Sequence, residues 1–131
     1  MAIQLIKFSL LVLGVIASFI SVVSATAGTA TLNTIYVPSA CFGYEDQGVM
    51  TAAASDALWD NGAACGRMYS VSCTGPTNQG VPQPCTGSQV TVKIVDFCPP
   101  PGCQGTLDIA QEAFSQIADP AAGKITIEYN Q

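Results

Sequence analysis

Apolar and polar side chains alternate at strand period in two parts of the chain. In residues 89–97 (QVTVKIVDF), Val90, Val92 and Ile94 share one face, and Gln89, Thr91 and Lys93 share the other. Residues 124–129 (KITIEY) repeat the pattern, with Ile125, Ile127 and Tyr129 directed inward. Residues 67–73 (RMYSVSC) place Tyr69, Val71 and Cys73 on one side, and the short, threonine-bearing stretch 28–33 (GTATLN) reads as a first strand. The period changes in residues 108–118 (DIAQEAFSQIA). Ile109, Ala113 and Ile117 recur every four residues there, with Phe114 beside them, which predicts a helix. The alanine-rich stretch 51–59 (TAAASDALW) stops at DNG, a helix-ending and turn signal, and predicts a second, short helix. Residues 39–48 and 74–87 are loop-like, the second rich in Gly, Pro and Asn. Several short strands with two small helices predict a compact β-barrel.

The first 25 residues fall outside this pattern. A short basic start at Lys7 leads into an apolar run from Phe8 to Val23, followed by the small residues Ser24 and Ala25. That is the layout of a secretory signal peptide, with residues 26–131 as one mature domain. Much of the positive mean hydropathy belongs to this segment. Removing it takes Lys7 from the 4 basic and 9 acidic residues, leaving 3 against 9, net −6. Such a surface repels phosphate backbones and anionic lipid, which excludes nucleic acid and membrane-surface partners. All six cysteines lie in the mature part. In a small secreted chain an even count reads as three disulfides, which offset a marginal core. Zinc is disfavoured by the lack of histidine and of any C-x₂-C pair, and no cofactor is expected.

Three segments carry a family resemblance: residues 64–73 (ACGRMYSVSC), 91–103 (TVKIVDFCPPPGC) and 107–118 (LDIAQEAFSQIA). They resemble the first domain of expansins, and most of all the plant natriuretic peptide-like proteins, also described as endoglucanase-45-like domain proteins. The resemblance covers the mature chain and implies a six-stranded double-psi β-barrel, secreted into the plant cell-wall space. It implies the pairing Cys41–Cys65, Cys73–Cys85 and Cys98–Cys103, one of fifteen possibilities for six cysteines. Expansins carry a second, polysaccharide-holding domain, and no such segment follows Gln131 here, so the chain is not expected to be an expansin in the full sense.

The resemblance also singles out groove residues. Asp108 matches a groove aspartate that serves family 45 glycoside hydrolases as general acid, although Thr106 and Leu107 replace the two residues before it in their motif. Asp96 matches a second groove aspartate of some expansins. Thr31 resembles a groove threonine, and Asn33 stands where those relatives have an aromatic. Most glycosidases need two carboxyls. The first strand has none, Glu45 and Asp46 lie in a later loop, and Asp96 is expected on the same bank as Asp108. No catalytic residues are therefore expected.

Each acid also has a structural reading. Asp108 with Gln111 resembles a capping box at a helix start. Asp96 has the parity of the apolar face of its strand, so it is expected at the open end or buried with partners; a loop-fixing role ahead of the Pro-rich turn is favoured. Trp59 is expected to pack a helix end onto the barrel, and Tyr36, Phe42 and Tyr44 either wall a groove or cover a core edge.

The expected function is a secreted, monomeric, non-catalytic signal of the natriuretic peptide-like kind, acting in water and ion balance, stress or defence. Its partner is a cell-surface receptor or a cell-wall polysaccharide. The resemblance places the signalling segment at residues 49–66, with Val49, Asp56, Trp59, Asn61 and Gly66. The alternatives are a carbohydrate-active wall protein, either a binder or a weak glycosidase or lytic transglycosylase using Asp108, and a barwin- or kiwellin-like defence protein.

Overall fold

The computed structural model describes residues 24–78 and 80–131. The expected export segment, residues 1–25, lies outside these apart from Ser24 and Ala25. Six strands form a closed barrel: β1 (Thr26–Asn33), β2 (Thr51–Ser55), β3 (Met68–Pro76), β4 (Gln89–Cys98), β5 (Leu107–Ala110) and β6 (Lys124–Asn130). Around the barrel the order is β1-β5-β2-β4-β3-β6. The β1–β5 and β2–β4 pairs are parallel and the other four antiparallel. A closed sheet has no free edge, so a small domain avoids edge-to-edge association.

The core is built by the inward members of the alternating strands. Val71, Val92, Ile94, Leu107, Ile109, Ile125 and Ile127 are fully buried, and Phe114 and Ile117 join them from the helix Gln111–Ile117. Three disulfides join Cys41 to Cys65, Cys73 to Cys85 and Cys98 to Cys103.

Two sequence expectations are corrected. Residues 51–59 are not one helix. Thr51–Ser55 is strand β2, and only Asp56–Trp59 makes a helical turn. Alanine favours helix only weakly, and a nine-residue helix is marginal alone. Here the barrel offers this backbone two ladders, to β4 and β5, and the small side chains of Ala52, Ala53 and Ala54 fit a position where nearly all surface is buried.

The second correction concerns residues 108–118. Leu107–Ala110 is strand β5, and the helix begins only at Gln111. Ala110 occupies its N-cap position without a side-chain cap bond, so Asp108 does not close a capping box. Ile109 fits both a period of four with Ala113 and a period of two with Leu107. Pairing with β1 and β2 decides for the strand.

Candidate functional site

Parity places the site. On β1, β2 and β5, Ala30, Ala52, Ala54, Leu107 and Ile109 point into the core. Thr31, Ala53 and Asp108, between them, therefore point outward. The register lines them up side by side: Thr31 opposite Asp108, and Asp108 opposite Ala53. Asp96 on β4 extends the row, because it is also opposite Ala53.

Asp96 reaches that row through a register shift. Ala52 pairs with Ile94 and Ala53 with Asp96, so Val95 is an extra residue on β4. The bulge breaks the alternation set by Val90, Val92 and Ile94. Asp96, expected from its parity on the core face, is instead turned to the outer row and half-exposed.

The two acids are used differently. Asp108 Oδ1 accepts a hydrogen bond from Thr31 Oγ1 at 2.7 Å, and the Asp108 carbonyl accepts one from Asn33 Nδ2 at 3.2 Å. Oδ2 of Asp108 keeps its acceptor capacity. Asp96 Oδ1 accepts from the backbone N–H of Ala40 at 2.8 Å and of Phe97 at 2.9 Å. Asp96 thus fixes the loop between β1 and β2, rather than the proline turn after β4. Two strand spacings separate the two acids, about 10 Å between backbones.

A shallow cleft lies at the Ala53–Asp96 end of this row, lined by Thr51, Ala53, Asn33, Tyr36, Val95 and Asp96. Asp108 borders it through its pairing with Ala53. Ile35, Val37, Tyr44 and Val49 are exposed apolar residues of the β1–β2 loop, and Ile35 reaches the cleft itself. Glu45 and Asp46 are exposed and do not line it. Asp46 Oδ1 instead accepts the N–H of Gly48 at 2.8 Å. Among the described residues no group of three metal-ligating side chains occurs.

Glu112 is a participant the sequence did not reveal. The Tyr36 hydroxyl donates to Glu112 Oε2, which ties the cleft wall to the helix across 76 residues of chain. No local pattern links a loop tyrosine to a helix glutamate; only the barrel brings them together.

Burial, and then the neighbouring Glu112 carboxylate, push the Tyr36 hydroxyl above its ordinary range. Burial and then Tyr69 push Tyr129 up in the same way. The folded state therefore holds these protons more tightly than the unfolded chain. Their stabilisation is complete below the ordinary tyrosine value of about 10 and is lost as pH rises through the raised values. Melting temperature is expected to fall as pH rises above about 10, with a smaller fall in Tyr36→Phe. Identical alkaline slopes for the two proteins would contradict this.

In the segment 49–66, Val49, Asp56, Asn61 and Gly66 are exposed, while residues 51–54 are buried in the barrel. Trp59 is half-buried and stacks on Phe97, with ring centroids 4.9 Å apart. Asp60 and Asn61 take left-handed backbone angles in the DNG turn, and Asp60 accepts a bond from Arg67 Nη2 at 2.7 Å.

Comparison with known proteins places this geometry. The family profile described as lytic transglycolase matches residues 51–129. An EG45-like domain containing protein of Citrus jambhiri is 64% identical over 108 residues, covering 82% of each chain. The crystal structure of the apo expansin of Clavibacter michiganensis superposes with a TM-score of 0.61 at 27% identity, covering 82% of this chain and 50% of that one. The D78N mutant of that expansin, in complex with cellohexaose, gives a TM-score of 0.55 at 25% identity, with the same coverage of both chains. The six-stranded barrel, the three disulfides and these similarities together show that the chain belongs to the EG45-like domain family, of the double-psi β-barrel fold that it shares with expansins.

Proposed function

We propose that the mature domain is an extracellular, non-hydrolytic binding protein whose cleft beside Asp108 takes a stretch of neutral cell-wall polysaccharide. The observation that carries this reading is the outward row Thr31–Asp108–Ala53–Asp96, in which the hydrogen bonds engage Oδ1 of each acid and leave Oδ2 of each to face a ligand. Hydrolysis by the usual route needs a second carboxyl to activate water or attack the sugar. Asp96 stands in the same outward row as Asp108 rather than across from it and anchors the β1–β2 loop through Oδ1, and Glu45 and Asp46 lie outside the cleft. The negative surface suits a neutral polymer and repels an acidic one. The cellohexaose complex of a structurally similar expansin supports this choice of ligand class.

Pull-down of the mature protein on cellulose and xyloglucan tests it. Asp108→Asn keeps an oxygen for Thr31 but replaces a charged acceptor by a neutral one, and is expected to weaken binding roughly tenfold. Unchanged binding in that variant moves the site elsewhere. Release of reducing sugar or of anhydro products, abolished by Asp108→Asn, overturns the non-catalytic reading; a lytic step can run with one acid.

A second reading, a natriuretic peptide-like signal, is favoured by one feature. The exposed turn at Asp56, Asp60 and Asn61 is held by the Cys41–Cys65 disulfide and the Arg67–Asp60 pair, so it presents a fixed face to a receptor. Wall-free protoplasts that swell with wild-type and Asp108→Asn protein alike would favour signalling over polysaccharide binding.

A further inference from the structure

A second cavity is roomier than the cleft. It lies at the end of β3, under the loop that leads to β4, and has a volume of about 260 Å³. In the barrel order β3 and β6 stand diametrically across from β5 and β2, so this pocket and the Asp108 row are on opposite sides.

Its walls are set by the chain before any ligand arrives. The Cys73–Cys85 disulfide closes the loop. Thr77 Oγ1 donates to the Lys124 carbonyl at 2.9 Å and Asn78 Nδ2 to the Ala122 carbonyl at 3.0 Å. On the other limb, Asp119 N donates to the Pro84 carbonyl at 2.8 Å and Thr86 N to the Ile117 carbonyl at 2.9 Å. A preformed pocket avoids the ordering cost of binding.

The lining defines the ligand. Three prolines, Pro76, Pro82 and Pro84, face the space, and no lining residue is charged. Proline rings present C–H edges of slight positive character, which pair with the negative face of an aromatic ring. A sugar ring presents C–H groups of its own and gains nothing comparable from such walls. A cavity of about 150 Å³ holds benzene, and drug-sized ligands occupy roughly 300–1,000 Å³, so this space suits one substituted ring. Gln83 supplies an amide donor and acceptor for a single polar substituent, and the Thr74 hydroxyl, which donates to Thr126 Oγ1 at 2.9 Å, supplies an acceptor.

We infer that this pocket is a second binding site, specific for one neutral phenolic ring. It is independent of the cleft, so it stands or falls separately from the polysaccharide reading.

Amide NMR of the nitrogen-labelled mature protein, titrated with p-cresol, tests it. Saturable shifts are expected at the amides of Thr74, Gly75, Gln83 and Cys85, and are expected to persist in Asp108→Asn. Pro82 is exposed and outside the ladders, so Pro82→Ser leaves the fold intact; it is expected to weaken p-cresol roughly three- to tenfold. The saturated analogue 4-methylcyclohexanol is expected to bind at least as much more weakly. N-acetyltyrosinamide separates two sources of the same chemistry: shifts at these amides assign a tyrosine tip on a partner, and their absence beside p-cresol shifts assigns a free phenol. The inference is overturned if p-cresol leaves these amides unmoved, if the saturated analogue binds equally, or if cellobiose produces the same shifts.

Discussion

Replacing Cys41 and Cys65 together by serine is expected to lower the unfolding free energy by about 3.5 kcal/mol, from the loop-closure entropy of a 24-residue separation. Urea unfolding followed by Trp59 fluorescence measures it; a loss under about 1 kcal/mol would mean that the loop is held without the bond. The effect is expected to reach the site as well. Cys41 adjoins Ala40, whose N–H is bound by Asp96, and its own N–H donates to the Val95 carbonyl at 3.0 Å. These contacts hold the β1–β2 loop at the cleft. Without the disulfide, polysaccharide binding should weaken even under conditions where the barrel stays folded. The opposite outcome, full binding by the double variant, would show that the loop contributes nothing to recognition.

Phe114→Ala is expected to cost about 3–5 kcal/mol, because it removes the largest fully buried side chain among the described residues and leaves a cavity that the closed barrel can only partly fill. Phe114 belongs to the helix that also carries Glu112, the partner of Tyr36. The variant is therefore expected to loosen one wall of the cleft, which tyrosine amide exchange would register. Phe114→Leu keeps most of the volume and should cost under about 1.5 kcal/mol. Equal losses for the two would show that the lost volume does not set the cost. In a domain whose total stability is of the order of 5–15 kcal/mol, the alanine change together with loss of a disulfide is expected to leave little folded protein at room temperature.

Strands with one buried and one solvated face were legible from period alone. In β3, β4 and β6 the alternation at Tyr69 and Val71, at Val90, Val92 and Ile94, and at Ile125 and Ile127 is the direct imprint of a barrel wall. Strand β2 was illegible for the same reason read backwards. Residues 51–54 are buried on both faces, so nothing alternates, and alanine reads as helix. The start of β5 was masked by a coincidence of spacing at Ile109. The family motifs named Thr31, Asn33, Asp96 and Asp108 as groove residues, but not how they lie together.

Amino-acid sequence alone determined that this is a small, acidic, cysteine-stapled β protein, because alternation, charge and cysteine content are properties of single residues and near neighbours. Tertiary structure alone decided the bulge at Val95 that turns Asp96 outward, the side-by-side register of Thr31, Asp108 and Ala53, the Tyr36–Glu112 tie and the proline-walled pocket. Each of these depends on which strands close the barrel and in what register. Those are long-range choices, made where the total burial and hydrogen bonding of the whole chain are best satisfied, and no local pattern encodes them.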